Sequence, residues 1–264
     1  MLKGAIHIHS TYSDGEFTLS ELREELIAAG CSFACMTDHA EYFDDNRLRD
    51  YVQECEALSD DRFRFVPGLE FGCDQRMHVL GYGVTALTDT TNPQEVFRHI
   101  EASGGISVIA HPMDSMFEWI ESFEELPLGI ETWNSKYDGQ YAPRPATFRL
   151  LGRLQERKPQ MLAYYGIDFH WKKQFRGLLN EVDCDTNERD LLLAALAGGR
   201  YQARRSDVLL ASSGCLSPEL SDRFEAIQKR SSRLRQLTRK AKRLTARTGL
   251  KLPNAVKANL RRIF

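Results

Sequence analysis

The sequence predicts an α/β fold in which seven short strands alternate with helices and close into a barrel of βα units, followed by a basic helical tail. Three observations carry this. Short apolar runs recur along the first 167 residues with helical-period segments between them, the pattern of parallel βαβ units. Histidines and carboxylates fall repeatedly at the C-terminal ends of those runs, where such barrels place their reactive groups. The length, 264 residues with 42% hydrophobic and 27% charged, suits one large α/β domain or two small ones.

Residues 3–8 read as a buried strand running through Ile6, His7, Ile8 and His9. Residues two apart on a strand share a face, so His7 and His9 are expected side by side, with Ile6 and Ile8 packed on the other side. Asp14, in a Ser-Asp-Gly turn just beyond, is placed to reach back to them. Thr18-Leu19-Ser20-Glu21 is a capping-box pattern opening a helix whose apolar face is Leu22, Leu26 and Ile27 and which stops at Gly30. A second strand over 32–37 ends at Asp38-His39, and a helix over 47–58 follows. A third strand over 62–67 precedes Glu70, and 77–82 is a fourth. A helix over 92–103 is capped by Thr91 or Asn92 and stopped by Gly104-Gly105. The fifth strand, 106–110, ends in His111-Pro112, and the sixth, 128–133, carries Glu131. After a helix over 146–157, the seventh strand, 160–167, ends at Asp168-Phe169-His170. A helix over 188–197 and a short strand near 201–203 close the domain.

The candidate metal ligands are His7, His9, Asp14, His39, Glu70, His78, His111, Asp168 and His170. Six of the seven histidines are in this set, and only His99, on an expected helix, is outside it. A catalytic zinc keeps about three protein ligands, so this many nitrogen and oxygen donors suit two or three divalent ions. Without a thiolate among them, Mn, Fe or Zn fits better than a soft metal. Of the six cysteines, Cys31 and Cys35 read as small core residues. Such a centre suits phosphoester hydrolysis, because the ions acidify a bridging water and screen the phosphate. No Ser-His-Asp or Cys-His arrangement, phosphate loop or dinucleotide fingerprint competes with it. Lys136, Arg144 and Lys172 follow strand ends or motifs and are the candidate phosphate contacts.

Taken together, His7-Ile8-His9-Ser10 with Ser13-Asp14-Gly15, then Thr37-Asp38-His39, Gly68-Leu69-Glu70, Ala110-His111-Pro112 and Gly166-Ile167-Asp168-Phe169-His170 resemble the four motifs of the PHP (polymerase and histidinol phosphatase) family. The resemblance covers about residues 1–205. It implies a distorted seven-stranded, TIM-like β/α barrel with two or three metals. It also implies that His7, His9, Glu70 and Asp168 hold one ion, that Glu70 shares a second with His78 and His111, and that Asp14, His39 and His170 hold the third. Asp38, Glu70 and His111 are then the residues expected to carry catalysis, Asp38 as an acid that supports ligands rather than binding metal. His78-Val79-Leu80-Gly81 and Ile130-Glu131-Thr132-Trp133-Asn134 resemble the branch of nucleoside 3′,5′-bisphosphate phosphatases and 5′→3′ exoribonucleases. Two features depart from the pattern. Ile167 stands where a serine is common, and His111 and Asp168 are only 57 positions apart (168 − 111), too close for that branch's large helical cap.

Charge divides the chain. Residues 229–264 hold 13 Lys and Arg and no acid, so the remaining 228 residues carry 22 basic (35 − 13) and 37 acidic side chains. The expected division is a phosphoesterase domain over 1–205 and a basic helical extension over 206–264. The expected activity is hydrolysis of a phosphomonoester or diester, nucleotide- or RNA-derived, by a metal-bound hydroxide, with small phosphorylated substrates as partners. RNA or another polyanion is the candidate partner of 229–264. The alternative is a non-catalytic binding or scaffold module that works through its tail. No apolar run reaches the roughly 18 residues of a membrane span, and no hydrophobic leader opens the chain, so the expectation is a cytoplasmic protein.

Overall fold

The computed structural model describes residues 1–139 and 141–231. Most of the basic tail, and with it most of the expected polyanion contact of 229–264, lies outside the described residues. The chain opens with β1 (Leu2–Ile8), α1 (Leu19–Ala28), β2 (Phe33–Met36), β3 (Asp38–His39), α2 (Asp45–Ala57), β4 (Arg64–Val66) and β5 (Gly68–Gly72). It continues through β6 (His78–Tyr82), α3 (Pro93–Ala102), β7 (Ile106–Ile109), α4 (Phe117–Glu121), β8 (Gly129–Asn134), α5 (Pro145–Gln155) and β9 (Leu162–Gly166). It then adds β10 (Leu179–Val182), α6 (Arg189–Ala197), β11 (Tyr201–Arg205), β12 (Val208–Ala211) and a helix over 218–231. The start of α1 follows its sequence signal: Thr18 caps it and exchanges hydrogen bonds with Glu21 in both directions.

Two sheets form, ordered β12-β11-β10-β1-β2-β4 and β3-β5-β6-β7-β8-β9. They run into one another where β2 becomes β3 across Thr37 and where β4 becomes β5 across Pro67, which has no N–H to donate to a ladder. On the other side the pairing returns to its start. Ile167 N donates to Ile6 O (3.1 Å), Phe169 N to His7 O (3.1 Å) and His9 N to Phe169 O (3.0 Å). The C-terminal ends of β1, β3, β7, β8 and β9 are thereby gathered around the middle of β5 and the start of β6.

The sheets are mixed, whereas the alternating pattern predicts parallel pairing throughout. β5 with β6 and β6 with β7 are antiparallel, as are β1 with β10 and the β10-β11-β12 run. The cause for β5 and β6 is chain length. Only residues 73–77 join them, far short of the dozen needed for a parallel crossover. Glu70 consequently lies within a strand instead of after one. The sequence pattern also misses β10, β12 and α4. β11 and β12 turn around Ser206 (φ +51°), so the expected division at 205/206 falls inside a hairpin.

The apolar strand faces and the inner faces of α1, α3, α5 and α6 form one core, in which Phe33, Phe65, Tyr82, Trp133 and Tyr164 are fully buried. Cys31 and Cys35 lie in it as free thiols. The helix over 218–231 docks on this core. Phe224 is fully buried, and Gln228 Nε2 donates to Asp138 O (2.9 Å) and Ala142 O (2.8 Å). Among the described residues, no helix is long and apolar enough to cross a membrane.

Candidate metal centre

All nine candidate ligands converge on one place, and local backbone features aim them there. Ile6 pairs with Cys35 and Ile8 with Met36, so His7 is an extra residue, a bulge in β1 with φ +64°. His111 (φ +26°) and Asp168 (φ +50°), just after their strands, also occupy the left-handed region that a side chain other than glycine disfavours. Such positions cost about 1–3 kcal/mol each and persist only where the surroundings hold them. Two glycines make the required room. A Cβ on Gly15 would collide with the His9 carbonyl, and one on Gly166 would overlap the Glu131 carboxylate and come within 2.9 Å of His7 Cβ.

Glu70 is at the centre. Its Oε1 lies 2.7 Å from His78 Nδ1 and 3.2 Å from His111 Nε2. Its Oε2 lies 3.2 Å from His9 Nε2, 3.4 Å from His7 Nε2 and 3.5 Å from His39 Nδ1. Asp168 Oδ1 is 3.9 Å from both His7 Nε2 and His9 Nε2 and 3.1 Å from His170 Nδ1. Asp14 Oδ1 is 3.2 Å from His170 Nε2 and 3.7 Å from both His9 Nδ1 and His39 Nε2. Four overlapping donor groups result: His7, His9 and Asp168; His7, Glu70 and His111; His39, Glu70 and His78; and His9, Asp14, His39 and His170. Their members differ from the expected division. His9 also joins the Asp14 group and His78 also groups with His39, while His78 Nδ1 and His111 Nε2 both lie against Glu70 Oε1.

The donor set fits divalent ions. Two atoms bound to one ion at about 2.1 Å each stand about 3–3.6 Å apart, close to most of these separations. His9 gives the sharper test. Both of its ring nitrogens are buried without a hydrogen bond, as is His39 Nδ1. Buried polar atoms left in that state need a partner, and for an imidazole facing carboxylates a metal ion is a natural one.

Electrostatics agree. Burial would raise the Glu70 and Asp168 carboxyls, yet the surrounding imidazoles, His7 foremost, hold both well below the usual range. Burial opposes protonation of His7, but Glu131, Asp168 and Glu70 together push it well above its ordinary value. For His9, burial outweighs the pull of Glu70, with His7 and His170 adding to it, and pushes the imidazole down to about 4.

Glu131 is the functional residue missing from the candidate ligand set. Its Oε1 accepts from His7 Nδ1 (2.8 Å), and its Oε2 accepts from His111 N (2.9 Å) and Asn134 Nδ2 (3.0 Å). One buried carboxylate thus sets the ring orientation of one candidate ligand and the backbone of another. The available signal was a lone acid within an apolar strand. Asp38 acts similarly from beneath. Its oxygens accept from Ser10 N (2.7 Å), Ser10 Oγ (2.9 Å) and Ser13 Oγ (2.7 Å), which pins the loop carrying Asp14. It is placed as a positioning residue and not among the donor groups.

The three candidate phosphate contacts separate. Lys136 enters the cluster, with Nζ 2.9 Å from Asp168 Oδ1 and 3.4 Å from His170 Nδ1. Arg144 does not. It is taken up by Asp138 (2.5 Å), Asp114 (2.7 Å) and Pro112 O (2.7 Å), bracing the turn after His111. Lys172 pairs with Glu25 on α1 and also stays outside. Both were expected near phosphate because they follow motifs, but sequence adjacency does not set where a long side chain finds its counter-charge.

Among known proteins, a 77-residue stretch is 35% identical to the DNA polymerase/3′-5′ exonuclease PolX of Bacillus subtilis, a match over 26% of this chain and 14% of that protein. Among solved structures, a two-domain protein from Bacteroides vulgatus containing a predicted PHP-like metal-dependent phosphoesterase superposes with a TM-score of 0.53 at 18% identity, over 79% of this chain and 66% of that one. An amidohydrolase from Chromobacterium violaceum gives 0.51 at 15% identity over 75% and 96%. PsfC from Pseudomonas syringae gives 0.51 at 14% identity over 86% and 98%. The chain thus spans about one seventh of the polymerase and about two thirds of the Bacteroides protein, and the structural likenesses show the fold. The PHP domain profile matches residues 5–252, nearly the whole chain, with every candidate ligand inside it, and the protein therefore belongs to the PHP domain family.

Proposed function

We propose that this protein hydrolyses phosphoesters at a centre of two or three divalent ions (Mn, Fe or Zn) built on the family's distorted seven-staved barrel. The observation that carries the reading is the convergence of nine nitrogen- and oxygen-donor residues in four overlapping groups about Glu70, with both ring nitrogens of buried His9 lacking a hydrogen bond. Bound there, the ions would supply an acidified water and screen the charge of the phosphate. The chain's own residues prepare the rest. Glu70 presents Oε1 to His78 and His111 and Oε2 to His7, His9 and His39. Glu131 holds His7 and the His111 backbone in place, and Asp38 holds the Asp14 loop. Lys136 Nζ stands at the edge of the donor cluster, 2.9 Å from Asp168 Oδ1, where it can donate to a phosphate oxygen. Tyr137, whose ring lies 4.5 Å from His111, walls the same side.

The test is elemental analysis of chelator-free protein, followed by a substrate panel with added Mn²⁺. The panel holds p-nitrophenyl phosphate, a nucleoside 3′,5′-bisphosphate, a cyclic phosphate and short 5′-phosphorylated RNA. More than one equivalent of metal with turnover of at least one phosphoester is expected. A metal content near zero after reconstitution, or no turnover across the panel, overturns the reading.

A further inference from the structure

A groove opens where the β11–β12 hairpin, the helix over 218–231 and the segment after β8 meet. It encloses about 460 Å³ and is lined by Trp133, Tyr141, Arg205, Val208, Ile227 and Arg230, among others, none of them a member of the four donor groups. That volume lies in the range of small-molecule sites, which combine apolar walls with a few placed polar groups. Trp133, Val208 and Ile227 supply the walls. Tyr141 is 58% exposed and carries the Arg205 guanidinium 5.5 Å from its ring centre. Ring and guanidinium both present planes on which a flat body stacks.

The charge of the lining is unbalanced, with three arginines against one aspartate. Asp207 is taken by Arg223, which donates to its two oxygens at 2.7 Å and 3.2 Å. Arg205 spends Nε on Arg176 O (2.8 Å) and pairs with no carboxylate among the described residues. Burial, with Arg176 adding to it, pushes the Arg205 guanidinium below its ordinary value. Arg230 makes no hydrogen bond or ion pair among the described residues. The side chains that follow cannot neutralise these cations, because residues 232–264 include no Asp or Glu. Two guanidiniums facing one groove match the oxygens of a phosphate, which accepts from such forks in pairs.

We propose that this groove is a second binding site, separate from the donor cluster, for a small ring compound carrying one phosphate. The ring lies against Tyr141, Trp133 and Ile227, and the phosphate meets Arg205 and Arg230. The site bears on the cluster through a loop that both use. Gln228, on the helix that carries Ile227 and Arg230, donates to Asp138 O (2.9 Å), Ala142 O (2.8 Å) and Pro143 O (3.2 Å). Trp133 Nε1 donates to Gly139 O (3.0 Å), and Lys136 N donates to Asn134 Oδ1 (3.1 Å). A ligand that grips Tyr141 and Arg230 together holds this loop, and with it Lys136, in one position. The proposal is independent of the phosphoesterase reading, since binding is measured without turnover.

The measurement is calorimetric titration of the full-length, Mn²⁺-loaded chain with benzylphosphonate, which has the ring and the anion but no ester to cleave. Arg205→Gln and Arg230→Gln should each weaken binding about tenfold, and Tyr141→Ala about fivefold. Arg230→Gln breaks no hydrogen bond among the described residues, so its thermal midpoint should be unchanged. Inorganic phosphate should bind the groove about tenfold more weakly than benzylphosphonate. Glu70→Gln separates the two sites: it should alter phosphonate binding at the donor cluster and leave the groove-dependent event intact. In hydrogen exchange of Glu70→Gln protein, benzylphosphonate should slow the amides of 136–139 and Tyr141 about threefold, and Arg230→Gln should abolish that protection. Unchanged titrations in all three groove variants overturn the site. Inorganic phosphate binding as tightly as benzylphosphonate, with no dependence on Tyr141, overturns the ring compound as ligand. Binding seen only after 232–264 are deleted would make the tail the occupant and overturn the proposal as well. Groove-dependent binding with unchanged exchange in the loop overturns the link to Lys136.

Discussion

Glu70 and Glu131 divide the work of one site between a shared donor and a support for donors. Glu70→Gln replaces a carboxylate that faces two groups by an amide whose nitrogen cannot coordinate. Turnover should fall to background at saturating Mn²⁺ while the circular-dichroism spectrum is unchanged, and near wild-type turnover would refute the bridge. Glu131→Gln removes the charge behind His7 and presents an N–H₂ where two donors now point. Metal affinity should drop about 10- to 100-fold, as expected for loss of a ligand's support, and a competition titration with a chelating dye reads it directly. His9 predicts a pH effect in chelated protein. Unfolded, it takes a proton near pH 6.5, whereas folded it resists until about 4. Between those values the unfolded chain binds the extra proton, so stability rises with pH, by something near 3 kcal/mol at about 1.4 per unit. Above about 6.5 the sign reverses through His7, whose raised value makes its contribution fade as pH rises. A thermal midpoint that peaks near neutrality in EDTA, and whose acid limb flattens in His9→Asn, is the expected result.

At the scale of elements, β1 shows how strand periodicity can give the right destination by an incomplete route. Alternation puts His7 and His9 on one face, and both do reach the cluster. The strand is bulged at His7, however, and residue 7 is in the left-handed region, which no two-residue period encodes. The same applies to Glu70, whose strand becomes visible only when β5 is paired with β6. α1 and α3 were legible because their starts are local chemistry, a Thr18 capping box and an Asn92 cap accepting from Gln94 N. The helix over 218–231 adds a prediction. Phe224 is fully buried against the body, so Phe224→Ala should cost about 3–5 kcal/mol in urea unfolding. A loss below about 1 kcal/mol would mean that this helix is not part of the folded body.

For the whole molecule, ions that bind the folded chain alone should stabilise it by mass action, about 2.7 kcal/mol at a hundredfold excess over Kd for each site. Chelation should therefore lower the thermal midpoint, and Mn²⁺ should restore it. Deleting 232–264 removes 11 of the tail's 13 charges (13 minus Lys229 and Arg230) but no candidate ligand and none of the described residues. The truncated chain should keep its thermal midpoint and its turnover of p-nitrophenyl phosphate. A collapse of either would place the tail within the folded body.

The sequence by itself determined the donor types, their order along the chain and their position near strand ends, because those are local: a residue's chemistry and its place in an apolar run need no partner. It thereby determined the family and nearly all of the candidate centre. Only the tertiary structure decided which donors share an ion-sized space, that Glu131 stands behind His7, that Asp38 faces the Ser10–Ser13 loop, and that Lys136 enters while Arg144 and Lys172 find acids elsewhere. Most of these contacts join residues far apart in the chain, up to 147 positions, and are set by strand pairing and by competition among counter-charges. No periodicity along a chain carries that information.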